Sequence, residues 1–246
     1  MTAWTVFAAA LVTALATGLG ALPLLFTPTQ SRSWLGTGDA VAAGMMTAAS
    51  ASLLYEGGKI GLVQVVAGLA LGCAFMLAAR RLLGSEGHDR RFGSLVGADA
   101  TAAIAIVGAM TAHSFAEGAG VGVAFGEGGK LGLLIALAIA VHNIPEGLAV
   151  SLVLVPRGTS VGRAAAWSVV TSLPQPLVAV PAFLFVEEFR SVLPLGLGFA
   201  AGAMLWIALT QLVPDALHVS SRRRVFVAAA TAAAAMLALQ LLILGP

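Results

Sequence analysis

Two histidine–glutamate pairs are the residues of this sequence best suited to bind an ion. In each pair the carboxylate follows the histidine by four positions, His113 with Glu117 and His142 with Glu146. This spacing places both side chains on one face of a helix, close enough to share a ligand. Imidazole nitrogens and carboxylate oxygens are donors that divalent transition metals accept in proteins. The pairs therefore predict a metal site with two histidine and two glutamate ligands.

Both pairs lie near the centres of long apolar segments. An ionised carboxylate at the centre of a bilayer costs about 3 kcal/mol, and no lysine or arginine lies at that depth in any predicted span. Glu117 and Glu146 therefore need other partners. A structural hydrogen bond or a proton relay would also use such residues, but two copies of the pair on neighbouring helices favour the metal site.

The composition indicates the kind of protein that holds these pairs. The chain has 246 residues, of which 59% are hydrophobic and 10% charged, whereas soluble domains carry about 25% charged residues. This excludes a soluble globular protein, and the high hydrophobicity excludes a disordered one. The net charge of +2 is too small to indicate a nucleic-acid partner. The apolar runs have the length of membrane-spanning helices rather than of barrel strands.

Charged or Gly/Pro-rich breaks divide the chain into eight predicted transmembrane helices. We therefore expect an all-α polytopic membrane protein, with residues 1–246 as a single transmembrane domain in the lipid bilayer. The longest predicted loop is residues 80–96. The predicted spans are residues 3–26, 37–55, 61–79, 97–125, 131–155, 164–186, 193–214 and 225–244.

The basic residues predict the orientation, because cytoplasmic loops are enriched in lysine and arginine. One set of alternate loops holds only Lys59, Lys130 and Arg190. Both termini are therefore expected to face outside. The other set, expected to face the cytoplasm, holds ten bases: Arg32, Arg80, Arg81, Arg90, Arg91, Arg157, Arg163, Arg222, Arg223 and Arg224.

A short internal repeat accompanies this topology. Residues 42–46 of the second span read Ala-Ala-Gly-Met-Met, and residues 200–204 of the seventh read Ala-Ala-Gly-Ala-Met. In the predicted topology these spans run in opposite directions, which is the pattern of an inverted repeat in transporters.

At these residues the sequence resembles the ZIP (Zrt/Irt-like) family of divalent metal transporters, in particular its GufA-type bacterial branch. The resemblance covers the whole chain and includes the stretch from Ala16 to Pro23. Two paired motifs carry it, His113-Ser114-Phe115-Ala116-Glu117-Gly118 and His142-Asn143-Ile144-Pro145-Glu146-Gly147.

The resemblance implies a transporter rather than an enzyme. It implies uptake of zinc, or of cadmium, iron or manganese, across the plasma membrane of a bacterium into the cytoplasm. It also implies an inverted repeat of helices 1–3 and 6–8 around a central pair of helices 4 and 5, and an elevator-like movement. The implied first metal site is His113, Glu117, His142 and Glu146. Ser114, Asn143 and Gln175 are implied to line a second site, with the two glutamates bridging.

Two residues depart from the family pattern. GufA-type members usually have glutamate at the position of Gln175 and often asparagine at that of Ser114. Both changes remove ligand strength from the second site, so the number of ions in the centre, one or two, remains open.

Two other functions also remain open. An intramembrane zinc-dependent hydrolase is one, although the sequence has no HExxH motif. A proton-coupled metal exporter is the other. The oligomeric state is open as well, with a homodimer as one expectation.

Overall fold

The computed structural model describes residues 1–26, 32–83, 91–92, 95–96 and 98–244. Nearly all of these residues are helical, which confirms the all-α part of the predicted fold class. In chain order the helices are α1 (Ala3–Leu19), α2 (Pro23–Phe26), α3 (Arg32–Ile60), α4 (Leu62–Leu83), α5 (Ala98–Glu127), α6 (Gly129–Leu154), α7 (Val161–Ser172), α8 (Pro174–Glu188), α9 (Leu193–Ile207), α10 (Val213–Val219) and α11 (Arg222–Leu244).

One small departure from helix lies in the longest predicted loop. There β1 (Arg91–Phe92) and β2 (Leu95–Val96) form an antiparallel hairpin, with Arg91 paired to Val96. With two residues in each strand, this hairpin is part of the connection between α4 and α5. Arg90, one of the bases that predict the orientation, lies outside the described residues.

Six helical stretches of the described chain are long and apolar enough to cross a membrane. The two other predicted spans fall on α3 and α5, which have 29 and 30 residues. Of these, α3 is more polar than the six stretches, whereas α5 is as apolar as α4. Both pack against several other helices, so they do not need an apolar surface on all sides. The six stretches are Ala3–Phe26, Leu62–Arg81, Gly129–Arg157, Val161–Glu188, Arg190–Val219 and Arg222–Leu242.

Prolines explain where two predicted spans depart from a regular helix. The sixth span is divided into α7 and α8 directly before Pro174, because proline has no N–H to continue the hydrogen-bond ladder. The seventh span continues to Val219 through a π-helical turn at Ala208–Leu212. Pro214 follows this turn, and such turns accommodate an interrupted ladder within a continuous helix.

The helices pack as two groups. The α5–α6 group comprises α1, α5, α6, α7 and α8, and the α3–α9 group comprises α3, α4, α9, α10 and α11. The groups meet mainly where α5 packs on α9 and α3 packs on α6. Small side chains form part of this boundary, as where Gly120 of α5 faces Ala200 of α9. The α5–α6 group holds both histidine–glutamate pairs.

Glycines set the tightest contacts of the α3–α9 group. A Cβ on Gly202 of α9 would collide with the carbonyl oxygen of Leu69 in α4, and one on Gly44 of α3 would collide with that of Ala229 in α11. Gly44 and Gly202 are the central residues of the two Ala-Ala-Gly stretches. Small residues at such positions let helix backbones approach closely in membranes. The two copies of the repeat therefore make the same kind of contact with their respective partners.

This packing gives a stability prediction. Gly202→Ala should lower the midpoint of thermal unfolding in detergent by roughly 2–12 °C, because overpacking costs about 1–3 kcal/mol and each kcal/mol shifts a chain of this size by about 2–4 °C. Gly162→Ala is the matched control, since no atom lies within 4 Å of its added Cβ and alanine favours helix. Equal midpoints for the two variants would contradict the packing argument.

Candidate metal centre

The two histidine–glutamate pairs meet across the contact between α5 and α6. His113 Nε2 lies 2.7 Å from Glu146 Oε1, and His142 Nε2 lies 2.5 Å from Glu117 Oε1. Each hydrogen bond therefore joins a histidine of one helix to the glutamate of the other. Within a helix the contacts are longer, 3.3 Å from His113 to Glu117 and 4.0 Å from His142 to Glu146. The closest partners are thus set by helix packing.

The four side chains form a compact and buried group of donors. One ligand atom from each residue can be chosen so that all four lie within 4.8 Å of one another. His113, Glu117 and His142 are completely buried, and Glu146 is 2% exposed. Two nitrogens and two oxygens at this separation could hold one divalent transition metal.

The two glutamates of the group are bonded to imidazoles rather than to a basic side chain. Within the described part of the chain, no lysine or arginine forms an ion pair with either glutamate. The Nε2 atoms of the two histidines contact the carboxylate oxygens instead, and the Nδ1 atoms of His113 and His142 have no hydrogen-bond partner there. Because metal ligands must be deprotonated at the atom that binds, metal and protons compete for these donors.

The residues expected to line a second site are buried next to the group. Gln175 Nε2 donates to Glu117 Oε2 at 2.6 Å, and Asn143 Nδ2 donates to Gln175 Oε1 at 3.2 Å. Ser114 is also buried, but its hydroxyl takes no part in the hydrogen bonds that link Glu117, Gln175 and Asn143. The structure thus connects two of the three residues to the cluster through hydrogen bonds.

Thr13 of α1 belongs to this network and was missed by sequence reasoning. Its hydroxyl lies 2.5 Å from Gln175 Oε1 and 2.6 Å from the carbonyl oxygen of Ala10, so its single hydrogen is shared between these two acceptors. The Thr13 carbonyl accepts from Asn143 Nδ2 at 2.8 Å. Thr13 and Thr17 are both buried, and Thr17 bonds to Ser172 of α7. The signal in the sequence was a pair of threonines four residues apart in an apolar span, which places two hydroxyls on one helix face.

Comparison with known proteins identifies the family to which the chain belongs. The family model described as ZIP zinc transporter matches residues 85–241. Over 226 residues the chain is 36% identical to the zinc transporter GufA of Myxococcus xanthus, with 84% of this chain and 86% of GufA covered. The chain belongs to the ZIP zinc transporter family. It is a family of transporters rather than of enzymes, and GufA represents the branch whose resemblance the motifs indicate.

Two further relatives show how the match extends. The chain is 47% identical over 235 residues to the protein of Arabidopsis thaliana named "Putative zinc transporter At3g08650", covering 94% of this chain but 38% of the plant protein. It is 31% identical over 145 residues to the zinc transporter ZupT of Corynebacterium glutamicum, covering 46% of this chain and 55% of ZupT. The chain thus spans less than two thirds of the length of both of these relatives.

The glycines that end the two ZIP motifs bring the supporting helices up to the cluster. A Cβ on Gly118 would lie 2.7 Å from the Cα of Gln175, at the start of α8. One on Gly147 would collide with the carbonyl oxygen of Thr17, near the end of α1. Each motif therefore has a glutamate for the cluster followed by a glycine that admits another backbone. This explains the spacing of the motif in terms of packing as well as of chemistry.

The geometry predicts which side chains hold zinc. Glu146→Ala or His142→Ala should weaken zinc binding by at least about 100-fold, because each removes one of four buried donors and even outer-shell changes cost 10- to 100-fold. Isothermal titration of the detergent-purified chain measures the affinity. Glu187→Ala is the control, since Glu187 is an exposed carboxylate of α8. Unchanged binding in Glu146→Ala would contradict the assignment.

Proposed function

We propose that this chain transports divalent transition-metal ions into the cytoplasm, zinc foremost and cadmium, iron or manganese as related cargoes. The observation that carries the proposal is the buried cluster of His113, Glu117, His142 and Glu146, whose donors lie within 4.8 Å of one another. The names of the relatives support zinc as the cargo. The bound ion is a transported substrate, and one or two ions could occupy the centre.

An inner cavity supports release toward the cytoplasm. A cavity of about 220 Å³ has Glu146 in its wall, together with Asp39, Gln211 and Asp215. Asp39 lies near the start of α3 and Asp215 in α10, both on the side where the basic loops predict the cytoplasm. An ion that leaves the cluster past Glu146 would enter a cavity with two further carboxylates. This arrangement fits an inward-facing carrier.

A second cavity lies at the opposite end of the chain. It has a volume of about 830 Å³ and is lined by charged residues that include Glu56, Lys59, Glu127 and Lys130. None of the four residues of the cluster is among those that line it. In the predicted orientation this cavity faces outside. A site that is next to the inner cavity and separate from the outer one is expected of alternating access, in which one side is closed while the other is open.

The two helix groups support an elevator-like mechanism. The whole hydrogen-bonded centre, from Thr13 to Gln175, belongs to the α5–α6 group. No residue of the α3–α9 group contributes to it in the described structure. The boundary includes small residues, such as Gly120 against Ala200, and such surfaces let packed helices slide with few side chains to move. In our proposal the α5–α6 group carries the ion as one body past the α3–α9 group.

The topology that we propose has eight spans, both termini outside, in the plasma membrane of a bacterium. The inverted repeat, helices 1–3 and 6–8 around the central pair, is supported by the matching contacts of Gly44 and Gly202. The spans at Leu62–Arg81 and Arg222–Leu242 are the least buried of the six candidates, at 22% and 17%. Lipid, or a second copy of the chain in a homodimer, would cover their apolar faces.

The cluster fits a zinc-dependent hydrolase less well than a transporter. A catalytic zinc keeps an open position for water and usually has a separate acid or base, whereas both glutamates here are bonded to the histidines. His218, the only other histidine of the described residues, lies in α10 and does not belong to the cluster. A proton-coupled exporter would use the same donors, and the direction of flux decides that question.

Transport in proteoliposomes tests the function. With zinc outside, the wild-type chain should load the vesicles, and Glu146→Ala should reduce flux to that of protein-free liposomes because the cluster has lost a charged ligand. Glu187→Ala should transport like the wild type. A fluorescent zinc indicator inside the vesicles measures the rate. Unchanged flux in Glu146→Ala would refute the mechanism, and zinc movement only in the outward direction of oriented vesicles would favour the exporter.

Cysteine labelling tests the orientation. In a Cys73→Ala background, Gly58→Cys at the end of α3 should react with a membrane-impermeant maleimide in intact cells, because the loop after the second span is predicted to face outside. Gly162→Cys, at the start of α7, should react only after the membrane is permeabilised. Both glycines have open space around the added Cβ, so packing does not limit the reaction. The reverse pattern would invert the proposed topology.

A further inference from the structure

Gln175 makes more hydrogen bonds at the centre than a packing residue needs. It is completely buried in the first turn of α8. Its Nε2 donates to Glu117 Oε2 at 2.6 Å, and its Oε1 accepts from Asn143 Nδ2 at 3.2 Å. Its Oε1 also lies 2.5 Å from Thr13 Oγ1, whose hydrogen is shared with the carbonyl oxygen of Ala10. Both ends of the amide therefore have polar partners, a glutamate of the cluster at one end and Asn143 with Thr13 at the other.

The backbone of α1 determines which way this amide points. The carbonyl oxygen of Thr13 can only accept, so the side chain that bonds to it at 2.8 Å must be the Nδ2 end of Asn143. The same nitrogen has a second hydrogen, which it donates to Gln175 Oε1. The Nε2 end of Gln175 must then face Glu117. Each amide orientation follows from a fixed backbone acceptor.

This orientation removes ligands from the expected second site. An amide N–H is a donor and cannot bind a cation, and the amide oxygen of Gln175 already accepts from Asn143 Nδ2 and contacts the Thr13 hydroxyl. Glu117 Oε2 is held by Gln175, which leaves Oε1, 2.5 Å from His142 Nε2, for an ion. The oxygens left from the second set are the unpartnered Asn143 Oδ1 and the hydroxyl of Ser114, both neutral.

Charge balance also indicates that the centre holds one divalent ion. The cluster has two carboxylates, and no lysine or arginine of the described residues pairs with them. One divalent ion neutralises two carboxylates, whereas a second ion would leave uncompensated positive charge in a buried site. A carboxylate in place of Gln175 would change this balance toward two ions.

We propose that Gln175 is a positioning residue that closes the second metal position, so that the centre takes a single divalent ion. Gln175 fixes Glu117 through Oε2 and directs Oε1 toward the ion, and Thr13 and Asn143 hold the amide in place. This inference rests on the proposed function, since it concerns the same cargo.

Metal stoichiometry tests the inference. The detergent-purified full-length chain is equilibrated with zinc, washed by gel filtration and measured by elemental analysis, with affinity from isothermal titration. We expect one zinc per wild-type chain. Gln175→Glu should bind two, because it supplies a third carboxylate and removes the N–H that holds Glu117. Two ions on the wild-type chain, or one on a folded Gln175→Glu chain, would overturn the inference.

A pair of variants at Thr13 keeps the test independent of Gln175 itself. Thr13→Val removes the hydroxyl that holds Gln175 Oε1 and should weaken the binding of the single zinc by about 10- to 100-fold, the range for outer-shell residues. Thr13→Ser keeps the hydroxyl and should restore affinity, which a loss of packing alone would not predict. Equal affinities for Thr13→Val and Thr13→Ser would contradict the positioning role.

The same measurements separate this inference from the proposed function. If the wild-type chain binds no divalent ion and gives no flux, the proposed function fails. If it binds zinc and transports it but holds two ions, only the role of Gln175 fails.

Discussion

Two buried carboxylates that pair with no lysine or arginine among the described residues are the constraint on which the rest of this structure depends. Glu117 and Glu146 are inside a helical bundle, where an unpaired charge is costly, and each is bonded to a histidine of the neighbouring helix. These cross-helix bonds fix the register of α5 against α6. The glycines after the two glutamates then bring α8 and α1 close enough to reach the centre. The need to provide bonding partners for two buried carboxylates thus determines how α1, α5, α6 and α8 pack.

Much of this could be predicted from the sequence because the informative signals are local. A histidine and a glutamate four residues apart in an apolar run indicate a helix face and a ligand set, and the structure brings the four residues together. The exchange of partners between the two helices could not be predicted, because it depends on the register of α5 against α6. Thr13 was missed for a similar reason: a threonine in an apolar helix gains its role only from what packs against it.

Some features of the helices could be predicted from residue types, and others depend on how the helices pack. The break before Pro174 and the all-α fold follow from residue types, whereas the π-helical turn at Ala208–Leu212 depends on how a continuing helix accommodates Pro214. Six of eight predicted spans are apolar enough to be recognised by composition. The other two fall on α3 and α5, which pack among other helices. Composition therefore identifies α6 but not α5, although each holds one histidine–glutamate pair.

The assignment of the chain's two ends to different helix groups has a practical consequence. The first helix packs in the α5–α6 group, and α11 packs on α3 in the α3–α9 group. Any displacement of one group against the other changes the distance between the N-terminus and the C-terminal helix. A donor and an acceptor fluorophore at the two ends would therefore form a spectroscopic ruler for that displacement.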